Sequence, residues 1–365
     1  MECSEKLVWN DYTRESLKRI QIDAPDEDVR RKVLANWDAV AKPLEGMGKF
    51  ETLTAQIGAV LGTDIIDISQ KAVLILCADN GIVEEGVSQS GQEVTAAVAK
   101  SMAKKQSAVC KMAKAVGAKT IPVDIGINGE ERIPGVLDRK IRRGTRNFRN
   151  EPAMTEEEAV RAISVGIDLV WEAKKEGYRI LAAGELGIGN TTTSSALAAV
   201  LLACTAEEVT GRGAGLDDAG LLRKRQIISE ALKTYELNRT NPVGALTAVG
   251  GLDIAGLAGV CIGGALYHVP VVLDGLISAV AALLAEKIVP GTKAYLLASH
   301  KGKEPAVEKL LKELGLMPVI DADMALGEGT GAVMMLSLLE TALQVYCDRT
   351  TFSDIRIEQY KRYTE

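Results

Sequence analysis

The stretch "GELGIGNTTTSSAL", residues 184–197, sets three glycines, an asparagine and three threonines directly ahead of an alanine-rich segment. Gly187 and Gly189 allow close backbone approach and positive φ. Asn190 and Thr191 to Thr193 supply side-chain donors where a helix would start. The unpaired amides and dipole of such an end favour an anion such as phosphate. A plain Gly/Asn turn with a threonine cap uses the same residues, so the stretch alone leaves both readings open. It is not a G-x-x-x-x-G-K-[ST] loop, nor G-x-G-x-x-G, because Thr192 stands at the third glycine's place. A second glycine-rich turn, "GRGAGLDD" at 211–218, precedes Arg223, Lys224 and Arg225. One of these could reach a phosphate; a solvated basic helix face fits the same text. In "LGEGTGA", 326–332, Glu328 stands between two glycines at an expected helix start. A carboxylate there favours the helix dipole. Flanking glycines also leave it open to a ligand, and in a closed apolar site its pKa would rise towards that of a useful base.

These turns need a scaffold. "KAVLILCAD" (71–79) is a continuous apolar run with a polar tip, as suits a parallel strand covered on both faces. "KTIPVDIGI" (119–127), "RILAAGE" (179–185), "VPVVLDG" (269–275) and "KAYLLASH" (293–300) read as further strands. Helices are expected over 14–62 with a break at Pro43, then 92–116, 155–178, 190–203, 219–234, 252–267, 276–287, 304–314 and 329–346. Thr155 with Glu158 three residues on is a capping-box signature. The charged, Gly/Pro-bearing segment 129–153 reads as a surface loop. Alternation of strands and helices implies an α/β fold, a Rossmann-like, mostly parallel sheet flanked by helices. A smaller helical domain is expected from 1–65 and 333–365, with 66–332 as the large domain. Ligands in such sheets sit beyond the carboxyl ends of the strands. "CADNGIVEEG", "AAGELGIGNTTT" and "LLASHKGKE" mark three such ends, and "ADMALGEGTGAV" opens the last helix.

Composition narrows the function. A 365-residue chain with 47% hydrophobic content can bury a large core. A net charge of −6 and 4% aromatics argue against nucleic-acid partners. Six scattered cysteines without CxxC fit a reducing compartment, here the cytoplasm. Two histidines, His268 and His300, make a zinc site an unpromising expectation, and neither metal nor cofactor is expected. The polar opening "MECSEKLVWNDYTRESLKRI" does not read as a signal peptide. Residues 254–273 carry no formal charge, but Pro270, four glycines and the flanking Asp253 and Asp274 point to a buried helix and strand rather than a membrane span.

Beyond these separate readings, the chain resembles the nicotinate-nucleotide:5,6-dimethylbenzimidazole phosphoribosyltransferase family over nearly its whole length. "AKPLEGMGKFETL" (41–53), "ADNGIVEEGVS" (78–88), "GELGIGNTTT", "VGGLDIAGLAGV" (249–260), "VVLDGLIS" (271–278), "ASHKGKEP" (298–305) and "LGEGTGA" follow the family's order and spacing. The resemblance implies displacement of nicotinate from the anomeric carbon of nicotinate mononucleotide by a benzimidazole nitrogen, with inversion to an α-ribazole phosphate. The pyridinium leaving group departs neutral, so the reaction needs no acid there and no metal.

By the same resemblance Glu328 is the general base, and Glu185 lies near the ribose and its developing positive charge. Gly187, Gly189, Asn190 and Thr191 form the phosphate loop, and Lys224 contacts the nucleotide. Asp79 and Ser90 border the base pocket, with Leu186 and Leu326 as apolar walls. A homodimer is implied, in which the partner chain can complete the pocket. Asn80 stands where the family usually has His, and Val98 where Gln is expected, which leaves the accepted base open. A non-catalytic nucleotide-binding partner of an active paralogue is the alternative; the presence of Glu328, Glu185 and Lys224 argues against it. A dinucleotide-dependent oxidoreductase lacks its glycine fingerprint here.

Overall fold

The computed structural model describes residues 12–362. Cys3 and most of the polar opening segment lie outside that range. Six strands form one sheet: β1 Lys71–Ala78, β2 Lys119–Gly126, β3 Leu137–Asp138, β4 Ile180–Leu186, β5 Val271–Leu273 and β6 Leu296–Ala298. Their order is β3-β2-β1-β4-β5-β6, and every neighbouring pair is parallel. This is the doubly wound order that reverses between β1 and β4. β1 is buried at every position because both faces are covered. Ala72, Leu74, Leu76 and Ala78 face one apolar cluster, and Val73, Ile75 and Cys77 face the other. The two-residue period of a strand thus divides a continuous apolar run between two layers.

The helices are α1 Arg14–Lys18, α2 Glu27–Ala39, α3 Lys49–Leu61, α4 Glu93–Ala103, α5 Ala108–Ala115, α6 Glu156–Lys175, α7 Asn190–Leu202, α8 Ala206–Val209, α9 Asp218–Thr234, α10 Pro242–Val249, α11 Leu252–Leu266, α12 Leu276–Ile288, α13 Ala306–Leu314 and α14 Thr330–Cys347. Side chains of α2 to α5 and α14 fill the Val73 side; those of α6, α7 and α9 to α13 fill the other. The Thr155–Glu158 capping box starts α6 as expected. Three local expectations are corrected. The span 92–116 is two helices, because Lys105 takes a left-handed φ of 58° and Ser107 caps a new start. Residues 292–295 form a 3-10 turn, and only 296–298 pair as strand. The loop 129–153 contributes the short edge strand β3.

The basic loop is neutralised where it lies. Arg139 pairs with Glu172 at 3.0 Å, Arg142 and Arg146 with Glu158 at 3.2 and 3.0 Å, and Arg149 with Glu85 at 2.6 Å. α11 is buried along most of its length and crosses α6 backbone to backbone. A methyl group at Gly166 would overlap the Gly256 carbonyl, and one at Gly259 would overlap the Ile163 carbonyl. The uncharged span 254–273 is therefore core helix followed by β5, as expected. Among the described residues one helix, α14, is long and apolar enough to cross a membrane, and just over half of it is packed inside; α11 is too short.

Candidate active site

A cleft of about 220 Å³ lies at the carboxyl ends of β1, β4, β5 and β6. It is walled by segments 87–89, 185–191, 213–214 with Leu216, 274–278, His300 with 302–304, Val307 and 324–328. Two turns dominate it. β4 ends in Leu186, and the turn through Gly189 (φ 93°) launches α7. On the opposite wall Gly329 (φ 90°) launches α14, with Glu328 itself left-handed at φ 62°. A left-handed glutamate is uncommon and must be held by its surroundings. Two contacts hold it. The Glu328 carbonyl rests on Gly184 of β4, where an added methyl would lie 2.6 Å from the oxygen. Beneath the turn, Asp274 accepts from the amides of Gly331 (2.7 Å), Ala332 (3.2 Å) and Gly329 (3.2 Å). The turns touch: a methyl on Gly327 would lie 2.7 Å from Glu185 Oε1.

The carboxylates at and beneath the cleft are buried (Asp253, Asp274) or half-buried (Glu185, Glu328). Glu185 is pushed up to about 8, first by burial and then by Asp253 and Asp274; the Asn190 side chain opposes this and Glu328 adds to it. Glu328 is raised above the usual carboxylate range by burial, against the Val109 amide, which donates to its Oε2 at 3.4 Å, while Asp274 adds to the rise. Burial also raises Asp253 to about 6 and raises Asp274, against His300 and the three amides. At the other end of the turn, Lys224 is fully buried and brought down to about 8 by desolvation, with Glu304 opposing. Its Nζ donates to Thr191 Oγ1 at 2.9 Å and to the Gly211 carbonyl at 3.3 Å. No side chain caps the N-terminus of α7. The arrangement suits a ligand with an anionic end at α7 and Lys224 and a cationic centre between two carboxylates.

A family model described as phosphoribosyltransferase matches residues 22–357. The chain belongs to the phosphoribosyltransferase family. It is 40% identical over 337 residues to a protein of Clostridium perfringens (strain ATCC 13124), covering 92% of this chain and 93% of that one. It is 41% identical over 340 residues to a protein of Clostridium acetobutylicum, covering 93% and 97%. Both relatives are named nicotinate-nucleotide–dimethylbenzimidazole phosphoribosyltransferase. The crystal structure of CobT from Thermus thermophilus superposes with a TM-score of 0.86 at 38% identity, covering 91% of this chain and all of that one.

In this phosphoribosyltransferase Glu328, Glu185, Leu186, Gly187, Gly189, Asn190, Thr191 and Leu326 all line the one cleft, and Lys224 touches it through Thr191. Two expected pocket residues stand apart from its walls. Asp79 is buried and its Oδ2 accepts from the Asn128 amide at 2.7 Å, so its carboxylate secures the loop after β2. Ser90 follows the wall segment Val87–Gln89 and turns back on Ser88, its amide donating to Ser88 Oγ at 3.2 Å. Nor do Asn80 and Val98 line the cleft. Asn80 is buried beneath the turn and its Nδ2 donates to the Ile188 carbonyl at 3.4 Å; Val98 packs against the apolar cluster behind β1. The residues not singled out from sequence are Asp253, Asp274, His300 and Glu304. The available signal was a lone acid at the tip of an apolar strand or the first turn of an apolar helix.

Proposed function

We propose that this chain transfers the phosphoribosyl group of nicotinate mononucleotide to 5,6-dimethylbenzimidazole or a related cobamide lower-ligand base, in cobalamin nucleotide-loop assembly. A ring nitrogen of the base attacks C1′ of the ribose. The C1′–N bond of the nucleotide breaks, and its electron pair returns to the pyridine nitrogen, so nicotinate leaves without a proton from the enzyme. Glu328 takes the proton of the azole N–H. The cationic nucleotide favours the ionised form of Glu185, which then offsets the positive charge that develops at C1′. The 5′-phosphate lies on the N-terminus of α7 with Lys224. Products are α-ribazole 5′-phosphate and nicotinate. The observation that carries the reading is the shared cleft: two carboxylates with raised pKa and an uncapped helix start face one cavity at the switch point of the sheet.

Glu328→Gln tests it. Turnover should fall by about a hundredfold to ten-thousandfold, as for loss of a general base, while nicotinate mononucleotide still binds. Normal turnover removes Glu328 as base. A competition reaction with benzimidazoles, adenine and a phenol, read by product mass, names the acceptor. The proposal also includes a cytoplasmic homodimer, with 1–65 and 333–365 as a smaller helical unit. Supporting the dimer, Met334, Leu338 and Val345 lie exposed along α14, which begins at the cleft. A monomer in analytical ultracentrifugation at working concentration sinks the dimer.

A further inference from the structure

Asp253 opens α11, is fully buried, and takes no part in the chemistry described above. Its Oδ2 accepts from Asn190 Nδ2 at 3.0 Å, and its Oδ1 accepts from the Ile254 amide at 3.0 Å. The same Asn190 nitrogen donates to Glu185 Oε2. A carboxamide nitrogen has two hydrogens, and here both go to carboxylates. Turned over, the amide would set its oxygen against the Asp253 carboxylate, so Asp253 fixes its orientation. Asp253 also seats the turn itself: a methyl on Gly187 would lie 2.6 Å from Asp253 Oδ2 and 2.5 Å from the Ala78 carbonyl. One buried carboxylate thus lies beneath the phosphate turn and one hydrogen-bonded residue away from Glu185.

We infer that Asp253 is a positioning residue for Glu185, acting through the Asn190 carboxamide; this deepens the transferase reading and rests on it. Asp253 holds the side chain of Asn190, the first residue of α7, and Asn190 in turn holds the Glu185 carboxylate at the ribose end of the cleft. The charged groups facing Glu185 are Asp253 from α11, Asp274 from the end of β5 and Glu328 from the opposite turn. Lys224 is separated from it by Thr191 and Asn190. Removing the Asp253 charge therefore makes Glu185 a stronger acid, whereas removing the Asn190 donor makes it a weaker one.

Titration of carboxyl-13C-glutamate protein without substrate reads Glu185 directly, its line assigned by loss in Glu185→Gln. Asp253→Asn should move the midpoint down by about half a pH unit or more, and Asn190→Ala should move it up by a similar amount. Each should lower kcat about tenfold or more, and the double variant should lose little beyond the worse single, because both act along one path. A merely structural role lowers thermal stability without opposed midpoint shifts. Unmoved midpoints, or kcat losses that simply add, overturn the inference. Should Asp253→Asn fail to fold, the Asn190→Ala midpoint decides alone: an upward move supports the inference and a fixed midpoint overturns it. Opposed shifts in a wild type without transferase turnover would sink the reaction and leave the positioning standing.

Discussion

The turn before α7 and the turn before α14 are built alike, and the cleft uses them differently. Each has a left-handed glycine as the first residue outside the helix, a glutamate close by and a buried aspartate beneath. Under α14 the aspartate takes the helix amides for itself: Asp274 accepts from residues 329, 331 and 332. Under α7 the aspartate binds a side chain instead, since Asp253 takes the Asn190 amide nitrogen. The α14 end is stoppered by the protein's own carboxylate, and the α7 end carries no side-chain cap. In the proposed reaction, nearly equal backbone geometry would thus serve as a holder for the base on one wall and a seat for the phosphate on the other.

The largest expected effect comes from unstoppering α14. Asp274→Ala deprives the Glu328 turn of three hydrogen bonds and should lower kcat about a hundredfold through misplacement of the base. Affinity for nicotinate mononucleotide, measured by calorimetry, should stay near wild type. A loss confined to affinity would break the division of labour between the walls. Next is Lys224→Ala, which removes a charge-assisted contact at the α7 end and should weaken nucleotide binding by about tenfold to a hundredfold. Unchanged affinity would take the phosphate away from that wall.

The smallest effect concerns stability. Folding raises Glu185 to about 8 from an ordinary value of 4.5, so the native chain keeps a proton that the unfolded chain releases. Stability contributed at this site is present at low pH and is lost as pH rises from the unfolded value through the folded one. Glu185→Gln removes that loss. Its gain in Tm over wild type should be slight near pH 5 and reach about 1–3 °C well above pH 8, by scanning calorimetry. A gain independent of pH would show that charge in the cleft is not what destabilises it.

Much of the frame was legible because it rests on local signals. β1 and β4 are apolar runs with polar tips, and the Thr155 cap sits three residues from its glutamate. α10 carries a local signal too, Asn241 as cap with Pro242 in the first turn, yet it falls outside the helices expected from periodicity. In the cleft, Glu328 and the 187–191 turn show by residue type and glycine spacing. Asp253 and Asp274 do not. Their partners lie 63 and 55 to 58 residues away in the chain, and only the sheet brings them together. In the sequence they are merely the charges flanking an uncharged stretch. The split of 92–116 was hidden because Lys105 is an ordinary residue in helical text until its φ is seen.

The crossing of α6 and α11 has a reach that its distance from the cleft conceals. Side chains at a helix interface act as gaskets, able to swap rotamers and absorb a shift. At Gly166 and Gly259 there are no such gaskets, only main chain on main chain. A bulkier residue at Gly166 has to push α11 as a rigid rod, and the tip of that rod carries Asp253. Harmful changes at the back of the molecule would then surface as faults in ribose handling at the front, with the lining of the cleft untouched.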